Sequence, residues 1–118
     1  MMDAHAKSAF VATELSIPLM RKNGTGSIVN IGPIQPIMNA PDFVLYSAAK
    51  GALEGLTTAY SVELASEIRV NMISPGNVNT ERNLAHLVLY LLSPLSNAVT
   101  GYIINCGYTR YGILAGNK

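Results

Sequence analysis

The sequence has 118 residues, of which 49% are hydrophobic and only 13% are charged. A chain with so much apolar surface can bury a core, which excludes intrinsic disorder as its main state. Eight basic and seven acidic side chains leave a net charge of +1, without the basic stripe that binds nucleic acid or a polybasic membrane patch. The length corresponds to one domain at most, so we treat residues 1–118 as a single domain with a frayed tail at 110–118.

Neither a membrane span nor an export signal is predicted. The longest apolar stretch, residues 84–92, contains a histidine and is far shorter than the ~20 residues that cross a bilayer. The first residues lack the basic region and the following apolar region of a signal peptide. The single cysteine, Cys106, excludes an intramolecular disulfide and suits a reducing compartment. These observations predict a cytoplasmic protein.

Hydrophobic periodicity predicts helices that alternate with strands. Apolar residues recur at helical spacing in three segments, and short β-branched runs between them predict buried strands. The predicted helices cover residues 4–21, 45–66 and 81–92, and the predicted strands cover residues 27–31, 69–73 and 101–105. This alternation predicts an α/β fold with a parallel sheet of about three strands and flanking helices.

Two features of these elements predict contacts with other chains. The first strand has no earlier strand to pair with on its outer side, and an apolar edge strand invites another chain. Gly51 and Gly55 lower the helix propensity of the second helix, so close packing against a neighbour is expected there.

The run from Tyr46 to Lys50 has the clearest chemical meaning. The two residues are four positions apart and share one helix face. A free tyrosine titrates near a pKa of ~10, and a neighbouring ammonium favours the phenolate and lowers that pKa. Such a pair can exchange a proton with a carbonyl or an alcohol. The alternative for these five residues alone is an ordinary helix with a packed tyrosine and a solvated lysine.

The order of several motifs resembles a known family. A β-branched strand precedes the pair Tyr46 and Lys50, the strand Arg69-Val70-Asn71 follows the helix, and Ser74-Pro75-Gly76 forms a turn. From about residue 3 to residue 108, the chain resembles the C-terminal half of a short-chain dehydrogenase/reductase. The resemblance implies a partial Rossmann-like fold and hydride transfer between NAD or NADP and a small carbonyl or alcohol substrate.

The same resemblance implies roles for individual residues. Tyr46 would be the proton donor or acceptor, and Lys50 would bind the nicotinamide ribose and tune Tyr46. Asn30 would be structural near its strand end. The residues implied to line the nicotinamide side are Pro75, Gly76, Val78 and Thr80. The resemblance also implies a homo-oligomer through the helices at 4–21 and 45–66.

The sequence departs from the family pattern in several places. It has no glycine-rich phosphate loop between a first strand and a helix, because Gly24-Thr25-Gly26 follows a helix instead. Pro33 stands where the family has a catalytic serine, and proline has no hydroxyl to polarise a carbonyl. His5 takes the place of a family asparagine, and the substrate-closing segment after Gly76 is short. The strand end Cys106-Gly107-Tyr108 replaces Asp-Gly-Gly.

Three interpretations remain open after these departures. The chain is an NAD(P)-dependent oxidoreductase with impaired activity, a non-catalytic remnant that acts through oligomerisation, or one half of a site that another chain completes. The two histidines, His5 and His86, lack the spacing of metal ligands. Cys106 is expected to pack at a strand end rather than to act as a nucleophile.

Overall fold

The computed structural model describes residues 6–32, 43–76 and 81–106. Its helices and strands alternate along the chain as the periodicity predicts. They are α1 (Ser8–Lys22), β1 (Gly26–Ile31), α2 (Phe43–Glu63), β2 (Ile68–Pro75), α3 (Glu81–Leu92) and β3 (Ile103–Cys106), with a short 3-10 turn at Pro94–Ser96. Within these ranges, no helix is long and apolar enough to cross a membrane.

The three strands form one parallel sheet in the order β1-β2-β3. β1 pairs with β2 along its whole length, whereas β3 pairs with the second half of β2, where Cys106 stands opposite Pro75. The central strand is buried along nearly its entire length, and β1 is only half-buried. The predicted α/β fold with a small parallel sheet is therefore confirmed.

The boundaries of β2 and β3 differ from the prediction. β2 continues through Ser74 and Pro75, because the edge of β3 offers partners there and the Gly76 N–H donates to the Cys106 carbonyl at 2.7 Å. β3 begins at Ile103 rather than at residue 101. Gly101 has a φ of +80°, which is left-handed backbone that interrupts an extended strand.

Helices α1 and α2 cover one face of the sheet. Their apolar side chains meet the first half of β2 in a buried cluster that contains Ile17, Tyr60, Leu64, Ile68 and Val70. The Tyr60 hydroxyl donates to the carboxylate of Glu14 at 2.9 Å and ties the two helices together. Burial of this apolar area is the main stabilising contribution on this face.

Helix α3 covers the opposite face, and its end is held by Arg69 of β2. The guanidinium donates to the carbonyls of Leu91 at 3.1 Å, Ser96 at 2.8 Å and Ser93 at 3.2 Å, and to the Ser96 hydroxyl. Ser27 lies opposite Arg69 in the sheet, and its hydroxyl also donates to the Leu91 carbonyl at 2.7 Å. A cation at the last carbonyls of a helix also opposes the negative end of its dipole.

Asn71, two residues further along β2, holds the return to β3. Its side chain is fully buried. The amide Nδ2 donates to the Val99 carbonyl at 2.9 Å, and the amide oxygen accepts from the Tyr102 N–H at 3.1 Å. Both hydrogen-bonding ends of this side chain are thus engaged by the segment that leads into β3.

Candidate functional site

Tyr46 and Lys50 lie in the first two turns of α2. The Tyr46 side chain is 5% exposed and shares the buried face of the helix with Ala49 and Leu53. Lys50 is half-buried one turn further on. The segment is helical as predicted, and residues four positions apart start from one side of a helix.

The direction of α2 places this pair at the carboxyl edge of the sheet. Tyr60 and Leu64, near the end of α2, pack against Ile68 and Val70 at the start of β2. α2 therefore runs antiparallel to the strands. Tyr46 lies 14 residues before Tyr60, or about 21 Å along a helix axis, and so reaches the end where the strands finish. Ligands of open parallel α/β sheets bind at this edge.

The pKa of Tyr46 corrects one expectation. Burial raises the pKa of the Tyr46 phenol above its usual value, and the carboxylate of Glu54 on the same helix raises it further. The expected lowering of this pKa by a neighbouring ammonium is therefore wrong for the chain by itself. The cause is that removal from water penalises the charged phenolate. At neutral pH the phenol holds its proton.

A hydrogen-bonded link fixes α2 against β1. The Asn30 amide donates to the Thr57 hydroxyl at 3.1 Å, and that hydroxyl donates to the Leu53 carbonyl at 2.8 Å. Thr57 is fully buried. The structural role expected for Asn30 is consistent with this link. Thr57 was missed by the sequence reasoning, although a polar residue on an apolar helix face, one turn after Leu53, is a usable signal.

The other residues expected at the nicotinamide side are only partly described. Pro75 is buried and Gly76 is half-buried at the end of β2. The Gly76 N–H already donates to the Cys106 carbonyl, so it is not available to a ligand. Val78 and Thr80 lie outside the described residues. The structure therefore brings Pro75 and Gly76 to the same edge as Tyr46 and Lys50.

The structure also bears on the departures from the family pattern. Gly24 and Thr25 lie between α1 and β1, and Gly26 begins β1 at the amino edge of the sheet, away from Tyr46. The Gly26 N–H donates to the Glu67 carbonyl at 3.1 Å. Pro33 and His5 lie outside the described residues. β2 ends at Pro75 and α3 begins at Glu81, so a very short connection joins them. In the described ranges, no group of His, Cys, Asp and Glu side chains is arranged to hold a metal ion.

Comparison with known proteins identifies the family. The sequence profile of the short chain dehydrogenase family matches residues 1–86. The chain belongs to the short-chain dehydrogenase family, which confirms the resemblance seen in the motifs.

Two curated relatives act on different substrates according to their names. The D-xylose 1-dehydrogenase of Caulobacter vibrioides is 31% identical over 136 residues, which cover 91% of this chain and 55% of that enzyme. The 3-oxoacyl-(acyl-carrier-protein) reductase of Thermotoga maritima is 29% identical over 129 residues, which cover 87% of this chain and 52% of that enzyme. The chain spans about half the length of the relatives it matches.

A solved relative shares the fold and contains a nicotinamide cofactor. A 4-hydroxyisoleucine dehydrogenase complexed with NADH and succinate superposes with a TM-score of 0.76 at 28% identity. The superposition covers 89% of this chain and 55% of that chain.

The match to the xylose dehydrogenase also contains an internal difference in length. The matched stretch is 136 residues long, whereas 91% of 118 residues is about 107, so about 29 residues of the relative have no counterpart here. β2 ends at Pro75 and α3 begins at Glu81 in this chain.

Proposed function

We propose that the chain carries the proton-transfer half of an NAD(P)-dependent oxidoreductase, which moves a hydride between the cofactor and a small carbonyl or alcohol. The observation that carries the proposal is the placement of Tyr46 and Lys50 on α2 at the carboxyl edge of the parallel sheet. Membership of the short-chain dehydrogenase family and the NADH in a solved relative support it.

The residues present fit one end of the cofactor. Lys50 is half-buried and its ammonium can donate to the hydroxyls of the nicotinamide ribose. Pro75 lies at the same edge. The described residues offer no glycine-rich strand-to-helix loop at this edge for the pyrophosphate. We therefore propose weak binding of NAD or NADP by the chain alone, with activity reduced further by Pro33.

The raised pKa of Tyr46 determines which protonation state of the phenol is present at neutral pH. When bound, the cofactor supplies or accepts the hydride. A phenol that keeps its proton at neutral pH can donate it to the oxygen of a carbonyl as that oxygen becomes negative. Oxidation of an alcohol needs the phenolate instead, and that form requires nearby cations such as Lys50 to offset its burial. The substrate of the proposed reaction is therefore a carbonyl or an alcohol, with Tyr46 as proton donor or acceptor respectively.

A cofactor titration with one matched pair of variants tests this function. NADH and NADPH are titrated against the purified chain by nucleotide fluorescence, and turnover is then measured with carbonyl substrates. Tyr46→Phe removes the proton donor, and Tyr90→Phe removes the same hydroxyl from an exposed position on α3. We expect saturable binding in all three proteins and turnover that only Tyr46→Phe abolishes. A flat titration at millimolar cofactor, or equal turnover of the two variants, contradicts the proposal.

A second candidate function is a non-catalytic one that depends on association between copies through α1 and α2. The supporting observation is that a Cβ at Gly51 or at Gly55 would meet nothing within 4 Å among the described residues. The predicted close packing at these glycines is thus not supplied by the described residues. On α1, Val11, Leu15 and Leu19 form an exposed apolar stripe at a spacing of four residues.

Light scattering after size exclusion tests this association. Gly55→Arg places a charge on the open face of α2, whereas Ala85→Arg places the same side chain at an exposed position on α3. We expect the unmodified chain and Ala85→Arg to form homo-oligomers and Gly55→Arg to be monomeric. A monomeric unmodified chain contradicts this candidate.

A cytoplasmic location remains part of the proposal, supported by the free thiol of Cys106.

A further inference from the structure

Glu54 extends the row that Tyr46 and Lys50 begin on α2. The three residues are spaced four positions apart, so each is turned by about 40° around the helix from the one before and lies about 6 Å further along it. Lys50 and Glu54 are both half-buried, whereas Thr58, the next residue in this series, is exposed. The half-buried flank of α2 beside Tyr46 therefore carries an ammonium and a carboxylate.

The link between α2 and β1 shows how far along the sheet Glu54 lies. The Asn30 amide donates to the Thr57 hydroxyl at 3.1 Å, and Asn30 is the last residue but one of β1. Because α2 runs antiparallel to the strands, Glu54 lies about 4.5 Å closer to the carboxyl edge than Thr57 does. Glu54 thus stands near the end of β1, on the same edge of the sheet as Tyr46 and Lys50.

The two charges on this flank act on the Tyr46 phenol in opposite senses. A nearby ammonium stabilises the phenolate, whereas a nearby carboxylate destabilises it. Burial is the larger cause of the raised pKa of Tyr46, and the carboxylate of Glu54 raises this pKa further. Glu54 is therefore close enough to influence the group that is proposed to exchange a proton with the substrate.

The other elements beside α2 bring few titratable groups to this edge of the described structure. β1 has none, and Arg69, near the start of β2, is bound to a carbonyl at the end of α3. β3 ends in the thiol of Cys106, and the exposed Lys7 precedes α1. The charged side chains within α1 are level with Tyr60 or closer to the amino edge; they are Glu14, Arg21 and Lys22.

We propose that Glu54 belongs to the proton-transfer site as a positioning residue, whose carboxylate opposes the ammonium of Lys50 and holds the proton on Tyr46. The inference rests on the proposed function, which makes Tyr46 the group that exchanges a proton with the substrate. To accept a proton from an alcohol, the phenol must first lose its own proton to water. Loss of the Glu54 charge should therefore extend alcohol oxidation to lower pH.

Titration of the individual tyrosines tests the role of Glu54 without any cofactor. The tyrosines are replaced by 3-fluorotyrosine, whose phenol titrates at lower pH, and are followed by fluorine NMR. Tyr46→Phe identifies the resonance of Tyr46, and circular dichroism checks that the chain is folded at each pH. We expect Glu54→Gln to move the Tyr46 midpoint to lower pH and Glu54→Asp, which keeps the charge, to retain most of the original midpoint.

Glu63 provides a matched control on the same helix. It is exposed, and its carboxylate contributes to the raised pKa of Tyr60. Glu63→Gln removes the same charge as Glu54→Gln, so we expect it to lower the Tyr60 midpoint and to leave that of Tyr46 unchanged. An unchanged Tyr46 midpoint in Glu54→Gln overturns the inference. An equal fall in both variants does so too, because the effect then belongs to the net charge.

The pH profile of turnover separates this inference from the proposed function. With NAD or NADP and an alcohol, we expect the profile of Glu54→Gln to move to lower pH by the same interval as its Tyr46 midpoint. A lower midpoint without turnover in any of the proteins supports the inference about Glu54 and contradicts the proposed function. Turnover with an unchanged midpoint and an unchanged profile in Glu54→Gln contradicts the inference alone.

Discussion

Replacement of Arg69 by methionine is expected to destabilise the fold far more than an ordinary surface change. The guanidinium is the donor for three carbonyls at the end of α3 and after it. Each half-buried acceptor that loses its donor costs about 1–3 kcal/mol. Partial access of water to this region lowers the total, so we expect a loss of about 2–4 kcal/mol. That is a large fraction of the ~5–15 kcal/mol by which a domain is stable.

Arg21 provides the matched control for this prediction. Its guanidinium forms an ion pair with Glu67 at 2.7 Å, and both side chains are about half exposed, at 52% and 49%. Exposed pairs of this kind contribute ~0–1 kcal/mol, so Arg21→Met is expected to change little. Both variants thus replace arginine by methionine. Arg69→Met removes a guanidinium that binds backbone carbonyls, and Arg21→Met removes one that forms an exposed ion pair.

Urea unfolding followed by circular dichroism measures both effects. With a slope of ~1–3 kcal/mol per molar urea for a small protein, we expect Arg69→Met to lower the midpoint by about 1–2 M. The Arg21→Met midpoint should fall by less than ~0.5 M. Equal midpoints for the two variants would show that the carbonyls around Arg69 are satisfied in another way, and would refute the reasoning.

Three further predictions concern buried groups and backbone strain. Burial and Glu14 raise the pKa of Tyr60 to about 12. The free energy of unfolding should therefore fall as pH rises from about 10 to 12. Tyr60→Phe should flatten this fall in melting experiments. Both Gly101 and Gly24 have positive φ, but only a Cβ added at Gly101 would meet a side-chain oxygen, that of Ser61 at 2.8 Å. Gly101→Ala should therefore lower the melting temperature more than Gly24→Ala. Thr57→Val should cost ~1–3 kcal/mol in urea unfolding, and the exposed control Thr58→Val much less; similar values would contradict the link to β1.

The sequence predicted the helices and strands because their formation depends on residues that are close together along the chain. Helical spacing of apolar residues located α2, and the i, i+4 relation of Tyr46 and Lys50 follows from helix geometry alone. The alternation of elements then sufficed for a parallel sheet. The start of β3 was misplaced because Gly101 adopts a positive φ that glycine permits but does not require.

Long-range contacts account for what the sequence did not reveal. The partners of Arg69 lie 22 to 27 residues further along the chain, and no periodicity indicates them. The pKa of Tyr46 depends on how deeply the phenol is buried, which packing decides. A pairwise argument from Lys50 alone therefore gave the wrong direction. Val78 and Thr80 remain predictions, since they lie outside the described residues.

The hydrogen bonds made by Arg69 and Asn71 of β2 bear on how this fold tolerates changes in loop length. Arg69 locates the end of α3, and Asn71 locates the approach to β3. Side-chain hydrogen bonds from the central strand thus tie down both the end of α3 and the approach to β3. A change in the length of the connection between β2 and α3 is therefore expected to leave these anchored elements in place, because their hydrogen bonds come from β2.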